Sequence, residues 1–404
     1  MKLHRNLALG IVEGLLQILH KNEALRPSLT SLLKQNRSWG SRDRRQLGEA
    51  VLDCIRWKRT YEYLGGLDTQ SKHYYWELLG VWMRTKGINL PDWEELSAVG
   101  ESQIEFPLDP KATERKIRES LPDWLDELGL KSFEETTWNN ECHSFNQIAP
   151  LVLRANTLKV DPLNLRERLK KEYSIHASQA PTHSETLVLE KHQNLSQNAL
   201  YLNGEFEIQD ANSQQVAHWV DPKQGALLVD ACAGSGGKSL HMAALMQNKG
   251  KIMAFDPYQN KLDQLQKRAQ RCGVSIIETS TTSDSQLYAK LEGAADVVLV
   301  DAPCSGLGVL RRNPAAKWQM NPERIKVLEQ LQLQILEQNA ALVKNGGALV
   351  YATCSIFPNE NQDQIAKFLL SNAGKNFKLE KEQTLLTHQT GFDGFYMAKL
   401  HRTG

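Results

Sequence analysis

Apolar residues recur at helical spacing through the opening part of the chain. Leu7, Ile11, Leu15, Ile18 and Leu19 share one face, and Leu47, Val51, Leu52 and Ile55 share another. Tyr74, Trp76, Leu78, Leu79, Val81 and Trp82 suggest a third, well buried helix. Strand signals are scarce, so an all-α domain is expected over residues 1–144. A short helix starts at Pro122-Asp123-Trp124-Leu125, and the polar stretch from Thr136 to Cys142 reads as a joint.

From Pro150 the pattern changes. Leu151 to Ala155 and Thr186 to Leu189 read as strands, and Asp161 caps a helix through Leu165 and Leu169. A small α/β subdomain is expected over 145–212, and Ser213 to Val220 reads as the helix entering a third domain, 213–404. That domain alternates strand and helix at 226–229, 238–247, 251–255, 260–271, 274–277, 296–300, 323–343, 347–351 and 360–371, with a last strand near 395–400. Such alternation implies an α/β fold with a mostly parallel, Rossmann-like sheet covered by helices on both faces. Ligands in these sheets sit at the carboxyl ends of the strands, so the residues just after each strand carry the chemistry.

After the apolar run Ala226-Leu227-Leu228-Val229 come Asp230 and then Gly234, Gly236 and Gly237, followed by a helix from Lys238. Glycines allow a sharp turn and close approach to a ligand, and the helix N-terminus offers unpaired N–H groups. Three ligand classes use such a turn. Gly237-Lys238-Ser239 supplies the end of a P-loop, but its first glycine would fall at Cys232. A dinucleotide fingerprint G-x-G-x-x-G begun at Gly234 would end at Ser239, neither glycine nor alanine. S-adenosylmethionine has no phosphates and tolerates a looser pattern, and Asp256, closing the next strand, suits its ribose. The methyl donor is the favoured ligand. A P-loop ATPase acting on RNA is the alternative, since the strand 297–300 also ends in an acid, Asp301.

Two further strand ends carry sulfur: Asp301-Ala302-Pro303-Cys304-Ser305-Gly306 and Ala352-Thr353-Cys354-Ser355. Cys54, Cys142 and Cys272 read as small buried hydrophobes, and Cys232 as a backbone contact in the glycine turn. A methyltransferase that alkylates nitrogen or oxygen needs no thiol. Carbon 5 of a pyrimidine has no lone pair, and a thiolate adding to carbon 6 makes it an enamine carbon able to attack a methyl group. A carboxyl group near ring nitrogen 3 assists, and a second thiol helps release the adduct. The residues alone leave open which cysteine attacks.

The chain has 404 residues, room for two or three domains, and a net charge of +1 that neither advertises nor excludes a nucleic-acid partner. Six cysteines with no C-x-x-C pair argue against a disulfide framework and against a metal, and fit a reducing cytoplasm. The apolar N-terminal segment is broken by Glu13 and Gln17, as in an amphipathic helix rather than a signal peptide, and no stretch suits a membrane span.

In order along the chain stand Leu153-Arg154-Ala155-Asn156-Thr157-Leu158-Lys159, Phe206-Glu207-Ile208-Gln209-Asp210 with Ser213, and the Asp230 to His241 motif. Asp301-Ala302-Pro303-Cys304-Ser305, Arg311-Arg312-Asn313-Pro314 with Lys317-Trp318, Tyr351-Ala352-Thr353-Cys354-Ser355 and Asp393-Gly394-Phe395-Tyr396 follow. From about Leu153 to the end, and more weakly before it, the chain resembles the RsmB/Sun family of RNA 5-methylcytosine methyltransferases. The resemblance implies an N-terminal NusB-like RNA-binding domain, here kept as fragments around Arg42 to Arg59. It implies Cys354 as nucleophile, Cys304 as the residue that aids product release, and Asp301 against both cofactor and cytosine. Cys232, Ala233, Gly234, Ser235, Gly236, Gly237 and Lys238 would line the methionine end of S-adenosylmethionine, with Asp256 on the ribose.

Two departures stand out. The family usually has Ala-Pro where this chain has Gly234-Ser235, which loosens the cofactor loop and raises a catalytically silent RNA-binding relative as another alternative. The family's acid near the adenine is missing from Glu278-Thr279-Ser280-Thr281-Thr282-Ser283, leaving Asp284 or a threonine hydroxyl as substitute. Lys238, Pro303, Arg311 and Lys317 are expected to touch RNA, ribosomal RNA of the small subunit being favoured over transfer RNA. A cytoplasmic monomer is expected.

Overall fold

The computed structural model describes residues 3–36, 38–100, 106–109 and 111–404. They form two compact units, Met1–Gln147 with Leu310–Pro322, and Ile148–Val309 with Glu323–Gly404. Among its described residues the first unit is helical. Helices Arg5–Leu15, Leu25–Gln35, Ser41–Arg56, Lys58–Gly65 and Tyr74–Thr85 turn their apolar faces inward. Ile11, Leu15, Leu47, Val51, Ile55, Leu78 and Leu79 are fully buried there, each contributing roughly 1.5–3 kcal/mol of transfer free energy.

The stretch expected to be a joint is a helix, Glu135–Phe145. Trp138, Cys142 and Phe145 fall on one face, three and four residues apart, and all three are buried. Polar letters between them disguised an ordinary amphipathic helix.

The second unit holds two sheets. The smaller contains β1 (Val152–Ala155), β2 (Ala177–Gln179), β3 (Thr186–Leu189) and β4 (Phe206–Ile208), antiparallel in the order β2-β3-β1-β4. The larger contains β5 (Leu227–Asp230), β6 (Lys251–Phe255), β7 (Ile277–Ser280), β8 (Ala295–Asp301), β9 (Val343–Thr353), β10 (Phe377–Leu385) and β11 (Phe395–Arg402). Its order is β10-β11-β9-β8-β5-β6-β7. Five neighbouring strands, from β9 to β7, run parallel, and β11 is antiparallel to both of its neighbours.

Alternate residues of the parallel strands feed the two faces. Leu228, Ile252 and Ala254 meet Leu240, Met242 and Leu265 on one side. Val229, Met253 and Phe255 pack in the core of the other side, which holds Leu336, Ile365 and Phe368. The chain runs outward from β5 through β6 to β7, then returns to lay β8 on the other side of β5. The crevice above β5 and β8 is the switch point where such sheets bind ligands.

The third parallel strand begins at Ile277 rather than Val274, because Gly273, left-handed at φ 73, ends the preceding helix and residues 274–276 bridge to the sheet. The hairpin strand β10 and the short helix Ser285–Leu291 were not expected. β10 is an edge strand with most positions exposed and four of them charged, so it lacks the apolar run of its buried neighbours. No helix among the described residues is long and apolar enough to cross a membrane.

Candidate active site

The glycine turn closes tightly over the end of β5. Gly236 N–H donates to the Ala233 carbonyl at 2.9 Å, and Ala233 N–H donates to Phe255 at 2.8 Å. Gly236 sits at φ 88, and a Cβ there would lie 2.4 Å from Leu265, so only glycine fits. Asp256 is buried, and its carboxylate accepts from Gly234 N–H at 3.0 Å and Tyr258 N–H at 2.9 Å. Each of its oxygens keeps a lone pair for a ribose hydroxyl. Asp230 is fully buried, accepts from the Ser239 hydroxyl at 2.6 Å, and burial pushes its carboxyl up to about 6.

Lys238, first-turn residue of the helix Gly237–Leu245, pairs with Asp301 at the end of β8. Burial opposes the ammonium charge, but the Asp301 carboxylate outweighs it and holds Lys238 above its ordinary value. One strand over, Cys354 follows β9. Its sulfur lies 3.3 Å from that of Cys304, both half-buried. The hydrogen bond between the two sulfurs, partial burial and the Glu360 carboxylate hold the Cys304 thiol well above the usual range.

Glu360 and Asn361, which the sequence reading passed over, anchor both cysteine loops. Glu360 is fully buried and accepts from Ser305 N–H at 2.8 Å, from the Ser305 hydroxyl, and from Gln332 at 3.0 Å. Gln332 also donates to the Pro303 carbonyl at 3.0 Å. Asn361 accepts from Thr353 at 2.6 Å and donates to the Ser355 carbonyl at 3.0 Å. The signal was there in the run Pro358-Asn359-Glu360-Asn361, polar residues placed just after a strand-end motif.

Comparison with known proteins fits this geometry. Residues 217–401 match the family model for the 16S rRNA methyltransferase RsmB/F, and residues 121–196 match the RsmF/B-like ferredoxin-like domain. The probable ribosomal RNA small subunit methyltransferase B of Bacillus subtilis (strain 168) is 33% identical over 318 residues, spanning 74% of this chain and 70% of its own. The ribosomal RNA small subunit methyltransferase B of Shewanella oneidensis is 32% identical over 307 residues, spanning 74% and 71%. The chain belongs to the RsmB/F family of 16S rRNA methyltransferases. A methyltransferase homolog from Pyrococcus horikoshii superposes with a TM-score of 0.63 at 26% identity, over 73% of this chain and 100% of that one. NSun6 of the same organism, solved with SFG, shares the fold with a TM-score of 0.64 at 22% identity, over 71% and 99%.

As a member of this family the chain is an S-adenosylmethionine-dependent ribosomal RNA methyltransferase, and the turn described above fits that cofactor. Residues 232–236 form the turn above β5, Gly237 and Lys238 open the helix that follows it, and Asp256 lies beside the turn. The P-loop alternative falls with family membership. Asp284 caps the helix Ser285–Leu291, Oδ1 accepting from Leu287 N–H at 3.0 Å, and Oδ2 lies 3.3 Å from the Ser280 hydroxyl.

Pro303 is exposed on the loop between Asp301 and Cys304, where an RNA contact was expected. Arg311 and Lys317 were expected on a surface and are not. Both are buried in the first unit. Lys317 donates to the Arg56 carbonyl at 2.8 Å and lies 3.3 Å from Asn146 Oδ1, while the Trp318 indole donates to Ile55 at 2.7 Å. The aromatic and small residues around Lys317 carry the segment into that core, and the cation follows. Burial, with Arg56 nearby, pushes its ammonium down to about 7. Among the described residues one group has metal-ligating side chains, His183, Glu185 and His218. Its two imidazoles stack 3.5 Å apart and 9° from parallel, so their in-plane lone pairs do not meet at one point.

Proposed function

We propose that this chain methylates carbon 5 of a cytosine in small-subunit ribosomal RNA through a covalent bond from Cys354 to ring carbon 6. The observation that carries the reading is the pair of thiols 3.3 Å apart at the ends of adjacent strands, beside the Lys238–Asp301 pair. Nitrogen and oxygen methylation call for no thiol, let alone two. A cytosine buried in a duplex cannot reach these atoms, so the target nucleotide is unstacked first, with Pro303 at the loop it passes.

The Cys354 proton moves through the Lys238–Asp301 pair to ring nitrogen 3 as sulfur bonds to carbon 6, leaving a neutral enamine. S-adenosylmethionine, when bound, supplies an electrophilic methyl on sulfonium, and its S–CH3 bond electrons stay with that sulfur. The carbon-5 proton is then lost to water, carbon 5 and carbon 6 regain their double bond, the Cys354 bond breaks with its electrons on sulfur, and ring nitrogen 3 gives its proton up through Asp301 to solvent. Cys304, kept as a thiol, donates its proton to that leaving sulfur and regains one from solvent. The hydrogen bond to Cys354, burial and the Glu360 carboxylate disfavour the anionic form of Cys304, which supports its role as the proton donor.

Small-subunit RNA incubated with the protein and methyl-labelled cofactor, then digested to nucleosides, tests the product. The label is expected in 5-methylcytidine. Label confined to a ring nitrogen or a ribose oxygen overturns the reading.

A further inference from the structure

The cofactor turn holds Gly234-Ser235, two residues with little stiffness of their own, and Gly234 stands at φ 55. Side chains reaching in from outside the turn hold it. Asp256 takes the Gly234 N–H, and the buried Arg154 donates to the Gly237 carbonyl at 2.7 Å. Arg268, on the helix Gln259–Cys272, donates to the Ser235 carbonyl at 2.7 Å and reaches the Ser235 hydroxyl at 3.0 Å. Its other terminal nitrogen lies 2.7 Å from Glu207 Oε2.

Glu207 lies on β4, in the small antiparallel sheet, and is buried. Its second oxygen pairs with Arg271 and accepts from Cys272 at 3.1 Å. The carboxylate is thus fixed from two sides and presents Oε2 to one partner, Arg268. The Ser235 carbonyl shares a peptide plane with the Gly236 N–H, so holding the carbonyl also sets the N–H that closes the turn on Ala233.

We propose that Arg268, aimed by Glu207, is the positioning residue that sets the affinity of this turn for S-adenosylmethionine. It supplies from a neighbouring helix the rigidity that Gly234-Ser235 lacks. The inference rests on the cofactor reading of the turn and adds to it the residues that tune it.

The test is a calorimetric titration of S-adenosylmethionine into the full-length native protein and the variants Arg268→Ala, Arg268→Lys, Ser235→Ala and Glu207→Gln. Arg268→Ala is expected to bind about tenfold more weakly, the worth of a charge-assisted hydrogen bond. Arg268→Lys recovers part of the loss, and in turnover KM for the cofactor rises more than kcat falls. Arg268→Ala and Ser235→Ala combined lose less than the product of the two alone, because they share one contact. If the alanine variant does not fold, the lysine variant is read in its place. Native protein that binds the cofactor alongside Arg268 variants within about twofold of it overturns the proposal. Native protein that fails to bind at all overturns the cofactor reading instead.

Discussion

The sulfur of Cys304 lies 3.3 Å from the sulfur of Cys354, close enough to share a proton and well beyond the ~2.05 Å of a disulfide bond. The strands before them are parallel neighbours in register, Asp301 opposite Ala352. That register carries the two loops to the same height over the sheet. Gly308 and Gly394 bind them together: Gly308 N–H donates to the Cys354 carbonyl at 2.9 Å, and Gly394 N–H to the Gly308 carbonyl at 2.7 Å.

Gly308→Ala is therefore expected to damage the site directly. A Cβ there would lie 2.3 Å from the Gly394 carbonyl oxygen and 2.8 Å from that of Cys354. Both are backbone atoms, so a loop must move. Urea unfolding should show a loss of about 3 kcal/mol, and methylation should fall with it. Unchanged stability would mean the loops are not packed against each other.

Asp301→Ala leaves the largely enclosed Lys238 ammonium with its carboxylate removed. Asp301 is about a quarter exposed, with a side-chain value of 26%, which softens the cost. A destabilisation of about 2 kcal/mol is expected in the same assay, below the 3–5 kcal/mol of a fully buried broken pair. Lys238→Met with Asp301→Asn removes both charges and should recover much of that stability without restoring methyl transfer. Recovery of activity in the double variant would show that the pair serves the fold alone.

Lys317 predicts a pH dependence. Its folded pKa of about 7 lies below the ordinary 10.5, so the unfolded state binds more protons between those values and stability rises with pH across that window. Other buried groups titrate at high pH as well, so the difference between native protein and Lys317→Met isolates this one. The native protein should gain on the order of 3 kcal/mol on the variant between pH 7 and pH 10. Equal slopes for the two proteins would place the ammonium in solvent.

The order of parallel elements was legible because buried strands announce themselves as short apolar runs, each followed by polar or sulfur-bearing residues. Asp230, Asp256, Asp301 and Cys354 all stand at those ends. β10 was not legible, since an exposed edge strand has no reason to be apolar. Lys317 was misread for the opposite reason. A lysine in a basic run looks solvated, and nothing local reveals that Trp318 and Ala315 draw the segment into a core formed by residues far away in sequence. Glu360 was missed because a buried carboxylate is defined by the N–H groups it accepts from, and Ser305 lies fifty-five residues earlier in the chain.

The division of labour between the two thiols is the centre of the account. Cys354→Ala and Cys304→Ala are each incubated with small-subunit RNA and S-adenosylmethionine, then run on a denaturing gel that separates free protein from protein bonded to RNA. Cys354→Ala should form neither 5-methylcytidine nor an adduct. Cys304→Ala should accumulate as protein covalently held on RNA that already carries the methyl group. An active Cys354→Ala variant, or an adduct formed through Cys304 in its absence, would contradict the account.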